Sequence, residues 1–208
     1  MILGFAHLTR STASPDAVIA DFARGGMSVK ARRRDVPSAS EKWPLLRHQA
    51  RTHQLALMSG QPPIEVVSHD TGAVAADSRL DFDATRSEIR VKARDGAAVG
   101  RFFTDGLGFR GAEGMLRLDG RFPQWSIAIR IATDGAAPLD PPLDLEGWSC
   151  LAFYATNLEA DLAHLQGAGG RDSTTAFPVQ WDGGRMNVAM LRDPEGTIIE
   201  LIKILDRK

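Results

Sequence analysis

Two glutamates in this 208-residue sequence stand where a carboxylate is costly. In the segment Thr197 to Ile204, side chains of a strand would alternate between faces, so Ile198, Glu200 and Ile202 share one face while Ile199 and Leu201 share the other. Glu200 is thus an acid set mid-strand among apolar neighbours. An unpaired ionised carboxylate in such a place costs several kcal/mol, so it calls for a metal, an Arg or Lys partner, a raised pKa or a wet cavity. The same pattern occurs earlier in Pro63-Ile64-Glu65-Val66-Val67, where Glu65 lies between apolar residues. Two such acids, each near the end of a strand-rich segment, point to a repeated unit.

The elements that must position them can be read in order. Ile2 to Thr9 reads as a strand, and Ser14-Pro15-Asp16 as the start of a helix running to Arg24, where Gly25-Gly26 ends it. Strands are expected at Met27 to Arg34, Thr52 to Ser59 and Pro63 to Ser68, with a loop over Val36 to Trp43. The small, polar and acidic run 71–85 reads as a linker. The order then restarts: a strand at Ser87 to Ala93, a helix capped by Asp95 and ending at Gly106 to Phe109, and strands at Gly111 to Leu118 and Trp125 to Ala132. Residues 134–147, with three prolines, form a second connector. Beyond it come a strand at Ser149 to Ala155, a helix capped by Asn157 with Leu158, Leu162 and Leu165 on one face, and a closing hairpin. Its turn is Asp193-Pro194-Glu195-Gly196. The fold class is therefore α+β, built from three βαβββ units over about 1–70, 86–133 and 147–205.

Composition narrows the function classes. The chain is 43% hydrophobic and 25% charged with a formal net charge of −1, which argues against a dedicated nucleic-acid binder. No apolar run approaches the ~20 residues that cross a bilayer, and the N-terminal segment lacks the pattern of a signal peptide. One cysteine, Cys150, excludes an internal disulfide and fits a reducing compartment, so the expectation is a cytoplasmic protein acting on small molecules. Nothing matches a phosphate-binding loop, a dinucleotide fingerprint or a nucleophile elbow.

The repeated units, together with FFTDGLGF at Phe102 to Phe109, NLEADLAHLQGAGG at Asn157 to Gly170 and DPEGTIIEL at Asp193 to Leu201, resemble the vicinal oxygen chelate superfamily. Glyoxalase I, extradiol dioxygenases and bleomycin-resistance proteins belong to it. The resemblance covers most of 86–205 as a paired-unit domain within 86–208, with 1–70 as an additional unit. It implies a curved sheet around a cavity, with metal ligands from the first strand of a unit, commonly His, and from its last, commonly Glu.

Carried over residue by residue, Glu200 matches the last-strand position of the third unit and Cys150 falls near its first-strand position. Glu88 stands near the first-strand position of the middle unit, whose last strand offers no acid. The first unit keeps the pattern, with His7 on its first strand and Glu65 on its last. A symmetric homodimer could bring two copies of His7 and Glu65 together; alternatively the first unit could face the third and join His7, Glu65 and Glu200.

The resemblance implies a divalent metal (Fe, Mn, Ni or Zn) and a lyase, isomerase or dioxygenase acting on an oxygen-chelating substrate, with Glu65 or Glu200 as base. The competing reading is a metal-free binding or resistance protein using the same cavity. Trp125, Trp148, Trp181 and Phe177 are candidate cavity walls. Arg130, on an otherwise apolar strand, is a candidate anchor for an acidic ligand group or a partner for Glu200. His48, His53, His69 and His164 show no metal-ligand spacing.

Overall fold

The computed structural model describes residues 1–84, 88–112, 114–181 and 184–207, with the side chains of 181, 206 and 207 outside that description. Strands β1 (Ile2–Ser11), β2 (Val29–Pro37), β3 (Thr52–Met58) and β4 (Ile64–His69) form the first unit with helix α1 (Pro15–Arg24). A 3-10 turn, Ser40–Leu45, lies between β2 and β3 in the segment expected to be loop. The third unit holds β10 (Gly147–Ala155), α3 (Leu158–Gly167), β11 (Phe177–Trp181), β12 (Gly184–Arg192) and β13 (Ile198–Arg207). Between them stand β5 (Leu80–Asp83), β6 (Glu88–Ala93), α2 (Gly96–Arg101), β7 (Arg110–Ala112), β8 (Met115–Asp119) and β9 (Ser126–Thr133).

The helix starts follow the capping residues. Asp95 accepts hydrogen bonds from the amides of Ala97 and Ala98, and Asn157 from that of Ala160. At α1 the proline sits in the first turn as expected, but Ser14 makes no side-chain cap. The chain after α2 widens into a π-turn, Phe102–Gly106, that buries Phe102 and Phe103.

The sheet pairing differs from the paired 86–208 domain expected and follows the alternative in which the first unit faces the third. The first and third units, not the second and third, join into one curled eight-stranded sheet of order β11-β12-β13-β10-β1-β4-β3-β2. Its seam is the antiparallel pair β1 and β10, in which His7 faces Ala152. The middle unit makes a separate five-stranded sheet, β5-β6-β9-β8-β7. The physical reason lies in the segment read as linker. It contributes β5, which takes the edge of β6 that would otherwise pair with another unit. A symmetric pairing of the first unit with its own copy is likewise displaced, because both edges of β1 are hydrogen-bonded within the chain, to β10 and to β4.

Alternation divides the core. On the convex side, Phe5, Leu151, Phe153, Leu191 and Leu201 pack with Phe102, Phe103, Ile127 and Ile129 of the middle unit. Helix α1 covers the rest of that face through Ile19 against Ala56, Ile64 and Val66. On the concave side, Ala6, Cys150, Phe177, Val188, Met190 and Ile202 cluster with Leu45 and Leu46, beside the 3-10 turn, and with Leu143 of the second connector.

The closing hairpin is fixed by its own turn. Asp193 Oδ1 accepts from the amides of Glu195 and Thr197, both at 2.9 Å. Gly196 has φ +107°, and a Cβ there would lie 2.5 Å from the Asp140 carboxylate, so only glycine fits.

Candidate metal centre and its cavity

The concave face supplies the site. The parallel pairs β1 with β4 and β10 with β13 have equivalent registers: Thr9 faces Glu65, and Ala152 faces Glu200. Two residues before Thr9 stands His7, and two before Ala152 stands Cys150. In the middle unit Arg90 faces Arg130, and two residues before Arg90 stands Glu88. His7, Cys150 and Glu88 thus hold one position in three repeats, and Glu65, Glu200 and Arg130 hold another.

Joining the first and third units across the β1–β10 seam brings three of these residues together. His7 Nε2 lies 3.4 Å from Glu65 Oε2 and 3.5 Å from Glu200 Oε2. One ligand atom from each of His7, Glu65 and Glu200 lies within 4.8 Å of the others, which makes them a His-plus-two-carboxylate set. Thr9 Oγ1 donates to Glu65 Oε2 at 3.3 Å.

The electrostatics are those of a tight trio. Burial disfavours charge on His7, yet Glu65 and then Glu200 overcome it and hold the imidazole well above its ordinary pKa. Burial likewise works against a charged Glu65, and His7 overcomes it and holds that carboxyl low. Burial pushes the Cys150 thiol up, so it stands in the cavity wall as a neutral thiol.

The donor set fits a divalent cation. One imidazole and two carboxylates are borderline-to-hard donors suited to Zn, Fe, Mn or Ni. His7 Nε2 is buried and faces both carboxylates without making a well-formed hydrogen bond to either, the arrangement expected of ligand atoms aimed at a common point.

The trio sits in a cavity of about 310 Å³. Its walls are mostly apolar, including Leu55, Val67, Phe177, Val188, Met190 and Ile202. Arg33 of β2 donates to the backbone carbonyl of Gln180 on β11, which draws the two edges of the curled sheet together across the mouth.

The remaining candidates separate. Phe177 lines the cavity. Trp125 does not; it packs edge-to-face on Phe5, ring centroids 5.7 Å apart, in the convex core. Trp148 is also outside, against Phe82 and Phe22 and beneath the Arg10 guanidinium. Trp181 ends β11, but its side chain lies outside the described residues. Arg130 reaches neither the cavity nor Glu200. It makes a two-pronged pair with Glu88 at 2.7 and 3.0 Å, so the middle unit carries an ion pair where the first carries His7 and Glu65.

Two lining residues had no signal in the sequence. His53 and His69 face each other across β3 and β4 and open onto the cavity. Lone histidines on separate strands have no recognisable spacing. On β4, though, Glu65, Val67 and His69 alternate onto one face, and that period places His69 beside the site.

No protein-family model matches the sequence, and no curated protein does. In three dimensions the chain is similar to glyoxalase I from Zea mays, in a crystal structure of a glutamate-to-glutamine variant. The identity is 11%, the TM-score 0.61, and the match covers 96% of this chain and 93% of that one. Methylmalonyl-CoA epimerases are also similar: that of Mycobacterium tuberculosis at 13% identity and TM-score 0.48, over 99% of this chain and 91% of that one, and that of Streptomyces coelicolor at 13% and 0.47, over 99% and 100%. The likeness to the maize structure shows a glyoxalase-like fold. Among the described residues no helix is long and apolar enough to cross a membrane.

Proposed function

We propose that this protein is a divalent-metal-dependent enzyme that moves a proton on a small substrate bearing two neighbouring oxygen atoms, an isomerase or lyase in reaction class. The observation that carries this reading is the convergence of His7 with Glu65 and Glu200, two glutamates at equivalent positions of two repeats, inside a cavity of substrate size. His7, Glu65 and Glu200 would hold the cation, which would supply Lewis acidity toward a substrate oxygen.

The chain's own groups divide the remaining work. Glu65 is tethered by Thr9 and serves as a fixed ligand. Glu200 has no comparable tether among the described residues, and we assign its carboxylate, rather than that of Glu65, the role of base, receiving the proton from the carbon beside the chelating oxygens and returning it. Phe177, Val188 and Met190 exclude water from that carbon, which strengthens each electrostatic contact.

One observation favours a second reading, a metal-free binding protein. His7, held well above its ordinary pKa, stands 3.4 and 3.5 Å from the two carboxylates and can itself supply their counter-charge. Metal stoichiometry, with proton exchange into candidate 2-oxo and 2-hydroxy acids in deuterated water, separates the two. Metal below about 0.1 per chain after incubation with Zn, Mn, Fe and Ni would leave the binding reading alone.

A further inference from the structure

The end of the cavity away from His7 is also polar, and nothing in the proposed chemistry uses it. His53 and His69 are cross-strand neighbours with ring centroids 6.1 Å apart, 7% and 6% exposed. Among the described residues His69 has no hydrogen-bond partner at either ring nitrogen, and His53 has none at Nδ1. Buried polar atoms are nearly always paired, so three unpaired nitrogens on two residues that line one cavity are a feature to be explained.

Lys42 projects from the 3-10 turn into the same space, its ammonium 5.5 Å from the centre of the Phe177 ring. Among the described residues it makes no hydrogen bond or ion pair. Arg33 also lines the cavity, but its guanidinium is engaged by the Gln180 carbonyl. Burial first, and then Lys42, lower both imidazoles, His53 to about 3 and His69 to about 4, so each is a neutral N–H donor near neutral pH.

Glu65 and His69 lie on one face of β4 four residues apart, roughly 13 Å along the strand at ~3.3 Å per residue. Between them the Val67 and Leu55 pair is apolar. The cavity thus has a chelating end, an apolar middle and a cationic donor end.

We infer that Lys42, His53 and His69 form an anion-recognition subsite, and that the substrate is a long acid whose carboxylate, remote from its chelating oxygens, is received there. One ammonium and two neutral imidazoles match a single negative charge, which favours a carboxylate over a phosphate dianion. The chelating end of this assignment rests on the metal reading above; the carboxylate end stands on its own residues.

The test is calorimetric titration of the full chain with straight-chain probes of eight carbons. Without metal, suberate is compared with octanoate; with Mn or Zn added, 2-oxosuberate is compared with 2-oxooctanoate. A charge-assisted hydrogen bond worth ~1.5–3 kcal/mol predicts a preference for the diacid of about ten- to a hundredfold. Lys42→Met, at a partly exposed position, removes most of that preference and leaves the melting temperature unchanged. Suberate also shifts the ring resonances of His53 and His69. Equal affinity for diacid and monoacid would overturn the subsite, as would a preference that survives in Lys42→Met with unmoved imidazole resonances. A phosphonate analogue binding more tightly than the diacid would overturn the carboxylate assignment. A diacid preference with no effect of metal would support the subsite and remove the metal reading, so the two failures are separable.

Discussion

Replacing Arg79 by Met should destabilise the fold by about 3–5 kcal/mol. Its side chain is fully buried at the junction of four segments. The guanidinium donates to the carbonyls of Pro138 at 2.8 Å, Glu195 at 3.2 Å and Lys92, to Thr197 Oγ1 at 3.3 Å, and to the Glu195 carboxylate. It therefore ties β5, β6, the second connector and the turn of the closing hairpin to one another.

Methionine keeps much of the volume and removes every donor. Three carbonyls then lose a partner at ~1 kcal/mol each, and a buried carboxylate loses its counter-ion. Glu195 retains the amides of Arg94 and Asp95, which limits the loss to the stated range rather than more. For a chain of this length that corresponds to a fall in Tm of roughly 6–20 °C. Urea titration followed by circular dichroism and fluorescence measures it. A loss below about 1 kcal/mol would show that the junction does not hold the units together and refute the reasoning.

Acid sensitivity should follow from His53 and His69. Their folded-state pKa values are lowered, so the unfolded chain binds more protons; stability is whole above about pH 6.5 and falls as pH drops toward 4 and 3. At pH 5 each imidazole costs about 2 kcal/mol, and His53→Leu or His69→Leu should flatten the slope of stability against pH between 6.5 and 4.5. Gly196→Ala should cost at least about 2 kcal/mol in urea unfolding, because a Cβ at φ +107° meets Asp140. Glu88→Gln should leave metal content and any activity unchanged, since the Glu88–Arg130 pair lies outside the cavity.

The units were legible because local signals agreed: Asp95 and Asn157 cap the helices they precede, and DPEG closes the last hairpin. Glu65 and Glu200 were legible because a strand's alternation exposes a misplaced carboxylate without any tertiary knowledge. The pairing of the first unit with the third stood only as one alternative, since the choice turns on β5, four residues in a run whose composition reads as linker. The buried Arg79 beside β5 was hidden for the same reason, as its ionic partner, Glu195, lies more than a hundred residues away in the turn of the closing hairpin. Trp125 stands just before β9 and Trp148 within β10, yet the side of the sheet they face is set by which units pair. His53 came to line the cavity only through its cross-strand register with His69.

Metal content per chain, measured by elemental mass spectrometry on untagged protein purified without chelator, tests the central claim most directly when wild type is compared with His7→Ala, Glu65→Gln and Glu200→Gln. The account predicts near one divalent ion per wild-type chain, lost by about tenfold or more in each variant, with Cys150→Ser retaining it. Wild type without metal after incubation with Zn, Mn, Fe and Ni, or metal retained in all three ligand variants, would contradict it.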